Sequence, residues 1–154
     1  RGRATVAIRG TAVTRLFIPS AGAFRMDPTE FLDGGTVSVS DETYAVCRTD
    51  RDHPEVDAFA TVREAGETTV VVEQGDLDDV DAEAVETGWK RLTFEMELPF
   101  ELVGFIAAVA TALAEVDVSV FVLSSYATDH VLVTEADLGA AVARLEDLGC
   151  EVDG

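Results

Sequence analysis

Residues 90–113 read KRLTFEMELPFELVGFIAAVATAL, and the spacing of the apolar residues changes in the middle of this stretch. Up to Leu98, apolar and polar residues alternate, which is typical of a β-strand with one buried face. Pro99 ends this alternation. Residues 100–116 then place apolar side chains three and four positions apart, which predicts an amphipathic helix. The sequence therefore predicts a strand that leads directly into a helix.

The rest of the C-terminal half continues this order of elements. Residues 118–134 contain two apolar strands joined by a turn at 127–129. Asp137 can cap a second helix, Gly149 has the position of a glycine that ends one, and a short last strand follows. The order is strand, helix, strand, strand, helix, strand. Residues 89–154 therefore predict an α+β fold of the ferredoxin-like βαββαβ type.

The preceding residues, 36–88, contain the strands of such a plan but little of its helices. Residues 36–48 are extended in pattern, and 61–64 and 68–74 form two strands around a glycine turn. Residues 75–88 predict an acidic loop. We interpret 36–88 as a degenerate copy of the C-terminal unit, with a shortened first helix and packed against that unit.

The first 25 residues differ sharply in charge from all the others. They contain five arginines and no acidic residue, whereas the remainder has six basic and thirty acidic residues, a net charge of −24. This segment can be a basic tail, a targeting segment, or translated upstream sequence with Met26 as the natural start. The last is favoured because MDPTEFLDGG already has the composition of the rest. We therefore expect residues 1–35 to be an N-terminal extension that is non-native or disordered.

The whole chain has a net charge of −19 and a single lysine. Such a surface repels nucleic acid and anionic lipid, and no apolar run is long enough to span a membrane. We interpret the charge as adaptation to a high-salt cytoplasm, which indicates a halophilic source. The acidic residues around 76–83 lack the spacing of a calcium loop, so we predict no metal and no cofactor. The two cysteines fit a reducing cytoplasm.

Three stretches of the C-terminal half, residues 88–92, 98–107 and 118–133, resemble the ACT domain family. The similarity is to the paired ACT domains of the CASTOR-like group, of the ACT_7 type, and the most specific part is VSVFVLSSYATDHVLV. This resemblance implies a regulatory protein that binds an amino acid between ACT units, with a homodimer as one expected assembly. Members of the CASTOR-like group sense arginine, but the identity of the ligand does not follow from the resemblance.

The residues themselves indicate where such a ligand would bind. Free amide groups at the start of the first helix suit a carboxylate, and Gly104 allows close approach to the backbone. Across from them, Asp129 can hold an ammonium or guanidinium group. The predicted ligand-binding residues are Pro99, Phe100, Glu101, Val103, Gly104, Ser124, Ser125, Tyr126, Thr128 and Asp129.

Structural roles compete with binding at several of these positions. Gly104 can serve only helix packing, Asp129 can be a turn former, and Glu101 can compensate the helix dipole. Tyr126 can stack on a ligand or shield the edge of the core. These alternatives stay open at the level of sequence.

No motif of catalysis is visible, so we expect a protein that is not an enzyme. His53 and His130 lie in unrelated settings, and Cys47 beside Arg48 is either an activated or, more simply, a packed thiol. The leading hypothesis is an amino-acid sensor. The alternative is a ligand-free module for oligomerisation or protein interaction, which would use exposed edge strands.

Overall fold

The computed structural model describes residues 5–8 (backbone only), 27–51, 55–100 and 102–154, which form nine strands and two α-helices. The strands are β1 (Thr5–Ile8), β2 (Thr36–Val39), β3 (Tyr44–Thr49), β4 (Ala60–Glu64), β5 (Glu67–Glu73), β6 (Ala84–Phe94), β7 (Phe121–Ser124), β8 (Asp129–Thr134) and β9 (Glu151–Asp153). The helices are α1 (Phe105–Ala114) and α2 (Leu138–Asp147). Two short 3₁₀ helices span Pro28–Phe31 and Gln74–Asp79.

The chain divides into two compact units whose sequences are interleaved. Unit 1 contains β1 and Glu42–Trp89, and unit 2 contains residues on both sides of this segment, up to Asp41 and from Lys90 onward. These limits differ from the predicted ranges 36–88 and 89–154, because β2 belongs to unit 2. Strand β6 begins in unit 1 and ends in unit 2.

Unit 1 is a set of antiparallel strands in the order β1-β4-β5-β3-β6. The predicted hairpin of β4 and β5 is confirmed, with Gly66 in the left-handed conformation at its turn (φ 87°). The described residues of this unit contain no α-helix, and the shortened helix stays a prediction. The prediction of a loop up to residue 88 is wrong, because β6 begins at Ala84 and pairs with β3.

Unit 2 has the predicted βαββαβ order, formed by β6, α1, β7, β8, α2 and β9. Its strands lie in the order β9-β2-β6-β8-β7, so β2 is inserted between the last strand and β6. It runs antiparallel to β6 and parallel to β9. The ferredoxin-like expectation for unit 2 is therefore confirmed, with one additional strand.

The core of unit 2 lies between this sheet and the two helices. Leu92 and Phe94 of β6 are fully buried there, as the alternating pattern predicts. The Phe94 ring meets that of Phe105, the first residue of α1, edge to face at 5.0 Å between centroids. The other residues of this core include Val109, Leu113, Val131, Val133, Ala141 and Leu145.

Part of the segment 1–35 belongs to this unit, contrary to the expectation of a non-native or disordered extension for its whole length. Leu32 is 1% exposed and lies in the core of unit 2. The Gly34 N–H donates to the Gly149 carbonyl at 2.8 Å, and the Glu151 N–H donates to the Gly35 carbonyl at the same distance. A Cβ on Gly35 would clash with the backbone carbonyl oxygen of Phe31, which cannot move aside as a flexible side chain could, so this position requires glycine. The structure describes no residue from 9 to 26, and Met26 as the natural start stays a prediction.

Candidate functional site

The two predicted site segments lie side by side in unit 2. The first is the loop between β6 and α1, and the second is the turn between β7 and β8. The Leu98 N–H donates to the Ala127 carbonyl at 2.9 Å. The Phe100 and Tyr126 rings meet edge to face, 4.9 Å apart and at 81° to each other. We refer to residues 98–100, 102–104 and 124–129 as the corner. Glu101, one of the predicted residues, lies outside the described residues and is not included.

The turn of the corner is fixed by two of its hydroxyl groups. The Ser125 N–H and Oγ both donate to the Thr128 carbonyl, at 2.8 and 2.9 Å. Thr128 Oγ1 donates to the Phe94 carbonyl at 2.6 Å, which ties the turn to β6. The structure therefore gives Ser125 and Thr128 positioning roles, and it leaves Tyr126 at the tip of the turn, 61% exposed.

Asp129 begins β8 and is only partly exposed. Its carboxylate accepts a hydrogen bond from the Ser124 hydroxyl. Burial raises the pKa of Asp129, and the hydrogen bond from Ser124 opposes this effect without cancelling it. The carboxylate is therefore poorly solvated, and the causes of its pKa shift that involve described residues are burial and Ser124, with no cation among them. A positively charged ligand group would supply the missing compensation.

Helix α1 begins later than the sequence predicts. Gly104, with φ 90°, is the residue that caps it, and the first intrahelical bond joins the Ala108 N–H to the Gly104 carbonyl at 2.9 Å. The prediction of a helix is wrong for Phe100 and for residues 102–104, which lie outside α1, and the Leu102 N–H donates to the Pro99 carbonyl. This left-handed conformation is sufficient to explain why residue 104 is a glycine, without any ligand near it. The amides of the first helical turn lack intrahelical acceptors by geometry, as the hypothesis of a carboxylate site requires.

The corner exposes large apolar side chains. Phe100 is 48% exposed, Val103 54% and Tyr126 61%, while Pro99 is also exposed. The helical interpretation placed Phe100 and Val103 on a helix, so the sequence did not reveal this patch. A contact between residues 26 positions apart in sequence, as between Phe100 and Tyr126, carries no local signal.

His130 lies next to Asp129 on β8 but serves the sheet rather than the corner. Its Nδ1 is 3.0 Å from Thr93 Oγ1, and the residue is 9% exposed. Burial lowers the pKa of His130 to about 4, with the positive charge of Arg91 acting in the same direction and Glu95 against it. The expectation of a structural histidine agrees with this arrangement.

A shallow groove of about 360 Å³ runs between α1 and α2, away from the predicted residues. Arg144 lies in it, donates to the Ala112 carbonyl at 3.3 Å and forms an ion pair with Glu115 at 2.5 Å. The other lining residues are Thr29, Ala107, Ala108, Thr111 and Leu148. No sequence pattern predicted this groove.

The side chains with catalytic potential are not assembled into a site in the described part of the chain. Cys47 is 1% exposed and burial raises its pKa, so the hypothesis of an activated thiol is wrong. His53 lies outside the described residues. No group of three or more His, Cys, Asp or Glu residues could hold a metal ion among those described. Neither described helix is long and apolar enough to cross a membrane.

Comparison with known proteins supports the assignment of the fold. Residues 84–147 match the ACT_7 family model, which is that of an ACT domain. A Vibrio cholerae protein of unknown function, described as a possible transport protein, is 27% identical with a TM-score of 0.65, over 77% of this chain and 93% of that one. No curated protein matches the sequence significantly.

Two further solved structures share the fold at lower identity. A protein from Agobacterium tumefaciens is 20% identical with a TM-score of 0.65, over 78% of this chain and 92% of that one. The ligand-free regulatory subunit of aspartate kinase from Thermus thermophilus is 10% identical with a TM-score of 0.58, over 76% and 98%. The matched residues 84–147 cover β6 to α2, and unit 2 has an ACT-like βαββαβ fold.

Proposed function

We propose that the protein is a non-catalytic regulatory module that binds a small zwitterion, such as an amino acid, at the corner of unit 2. The ligand carboxylate would bind the amides at the start of α1, and the ligand ammonium would bind Asp129. Binding would be transmitted through dimerisation or a partner protein in a high-salt cytoplasm, for which the net charge of −19 is the supporting fact.

The observation that carries this proposal is the setting of Asp129. Its carboxylate is half-buried, its pKa is raised by burial, and its one described hydrogen bond comes from the Ser124 hydroxyl. Such a group lowers the stability of the folded protein, because an ionised carboxylate loses hydration there without an opposite charge. The hydrogen bond from Leu98 to Ala127 joins the loop before α1 to the turn before Asp129, which supports a ligand that contacts both segments.

The comparisons add support of a general kind. The match to an ACT domain covers the corner, and a structural neighbour is the regulatory subunit of aspartate kinase. A regulatory role in that neighbour is consistent with a regulatory role here. The particular amino acid is left to experiment.

Isothermal titration with each of the twenty amino acids tests the proposal, together with thermal melting. A ligand at 100 times its Kd should stabilise the protein by about 2.7 kcal/mol, a readily measured shift in Tm. Asp129→Ala should abolish this shift, whereas Asp153→Asn, an exposed control on β9, should leave it unchanged. Absence of heat and of any melting shift for all twenty amino acids would refute the proposal.

A second candidate function is favoured by the exposed apolar side chains of the corner. Phe100, Val103 and Tyr126 would suit a protein contact as well as a small ligand, and β7 pairs only with β8 among the described strands. A module of this kind would assemble without a ligand. Its oligomer size, measured by analytical ultracentrifugation, should fall with Tyr126→Ser and be unaffected by Asp129→Ala.

A further inference from the structure

The corner combines exposed apolar side chains, which are rare elsewhere in the described part of the chain, with the carboxylate of Asp129. Phe100, Val103 and Tyr126 are 48–61% exposed, whereas the other exposed large apolar residues, Val85 and Val116, are 39% and 37% exposed. The three side chains come from two segments that a backbone hydrogen bond joins. Exposed apolar area collected in this way, on a chain with a charge of −19, is a typical mark of a contact with another molecule.

The geometry of the two rings favours a further apolar group. They meet edge to face at 81°, with their centroids 4.9 Å apart, and despite this contact about half of each residue stays exposed to solvent. A third ring or a branched aliphatic side chain can extend such a cluster and remove apolar area from water on both molecules.

Charged side chains of a ligand have much less to gain at this position. Residues 92–143 contain eight carboxylates and no lysine or arginine, so these segments offer no partner to an acidic side chain. Arg91 acts on His130, whose side chain points to the opposite face of β8 from that of Asp129. A cationic side chain would meet exposed carboxylates, whose attraction is weak and screened by salt. Over rings that are about half exposed it would also keep most of its hydration, so the cation–π attraction is weak.

We propose that the ligand of this site is a primary ammonium compound with an apolar, preferably aromatic, side chain, which Phe100, Val103 and Tyr126 contact while Asp129 binds the ammonium group. This inference rests on the proposed function and adds the chemical class of the ligand. Selectivity then comes from apolar contact, and the charged group serves to orient the ligand.

The test compares L-phenylalanine and L-leucine with L-serine, L-aspartate and L-arginine by isothermal titration at one ionic strength. The apolar pair should bind about 10- to 100-fold more tightly than the other three, as the burial of one side chain implies. Tyr126→Ser should weaken the binding of L-phenylalanine by about tenfold, and Tyr126→Phe should restore it. Val85→Thr, which removes a comparably exposed apolar group in unit 1, should have no effect.

The outcomes separate this inference from the function on which it rests. Tight binding of L-serine, L-aspartate or L-arginine would overturn the apolar class and leave the amino-acid site standing. L-phenylalanine binding that Tyr126→Ser does not weaken would also overturn it, because the ligand would then bind elsewhere. Absence of binding by every amino acid would overturn both proposals.

Discussion

The left-handed conformation of Gly104 at the start of α1 can be tested by substituting alanine there and at a control glycine, Gly139, where the opposite effect is expected. At φ 90°, an alanine in place of Gly104 would be forced into a left-handed conformation that costs about 1–2 kcal/mol. Its Cβ would lie 3.8 Å from Pro28 Cγ, an ordinary van der Waals contact, so the backbone alone determines the cost. The lower entropy of the unfolded chain offsets about 0.4–1 kcal/mol of this. Gly104→Ala should therefore destabilise unit 2 by about 1 kcal/mol.

Gly139 is the matched control, since it lies in α2 of the same unit and an added Cβ would meet nothing within 4 Å. Gly139→Ala should stabilise by about 0.5–1 kcal/mol, because alanine has the higher helix propensity. Urea unfolding followed by far-UV circular dichroism measures both variants. Midpoints that move in the same direction, or a Gly104→Ala midpoint equal to that of the wild type, would refute the left-handed start of α1.

Three further predictions concern charge. Burial raises the pKa of Asp129, so its ionised form lowers the stability of the folded protein above that pKa. Asp129→Asn should therefore raise the free energy of unfolding at pH 7 by up to about 1 kcal/mol. Urea unfolding at a series of pH values should show that this gain disappears in acid. The pKa of His130 is lowered from 6.5 to about 4, so the folded protein should lose stability, by about 3 kcal/mol, as the pH falls through this interval. His130→Gln should show a flatter pH profile in the same assay. Raising KCl from 0.1 to 1 M shortens the Debye length from about 10 to 3 Å and should raise Tm, given the charge of −19; a Tm independent of KCl would contradict the halophilic interpretation.

The C-terminal elements could be predicted from the sequence because their signals are local. The alternation that ends in Leu92 and Phe94, the turn before Asp129 and the glycine after α2 each determine the structure of adjacent residues. Gly149 has φ 95°, as a glycine at the end of a helix requires. These signals were sufficient for the βαββαβ order of unit 2.

Two errors have identifiable physical causes. The helical spacing of apolar residues continues back to Phe100, but the left-handed conformation of Gly104 interrupts the helix, and spacing does not report backbone conformation. The first four residues of β6 are exposed and follow an acidic stretch, so this part of the sequence resembles a loop, although it pairs with β3. Composition reports solvent exposure more directly than hydrogen bonding.

The sheet of unit 2 depends on pairing between residues that are distant in sequence. The local pattern of Thr36–Val39 predicts a strand, but the strands that pair with it, β6 and β9, lie more than 50 residues away in sequence. The site shows the same limit. The Ser125 hydroxyl donates within the turn and the Thr128 hydroxyl donates to β6, contacts that no local pattern indicates, and ligand binding by these two residues stays a prediction.

The most direct measurement is a set of ¹H–¹⁵N correlation spectra of the labelled protein during titration with an amino acid that produces heat. Chemical shift changes should concentrate in the backbone amides of residues 98–106 and 124–130, and they should saturate at the Kd obtained by calorimetry. Changes confined to the groove between α1 and α2, or spread over unit 1 with the corner unchanged, would contradict a ligand site built around Asp129.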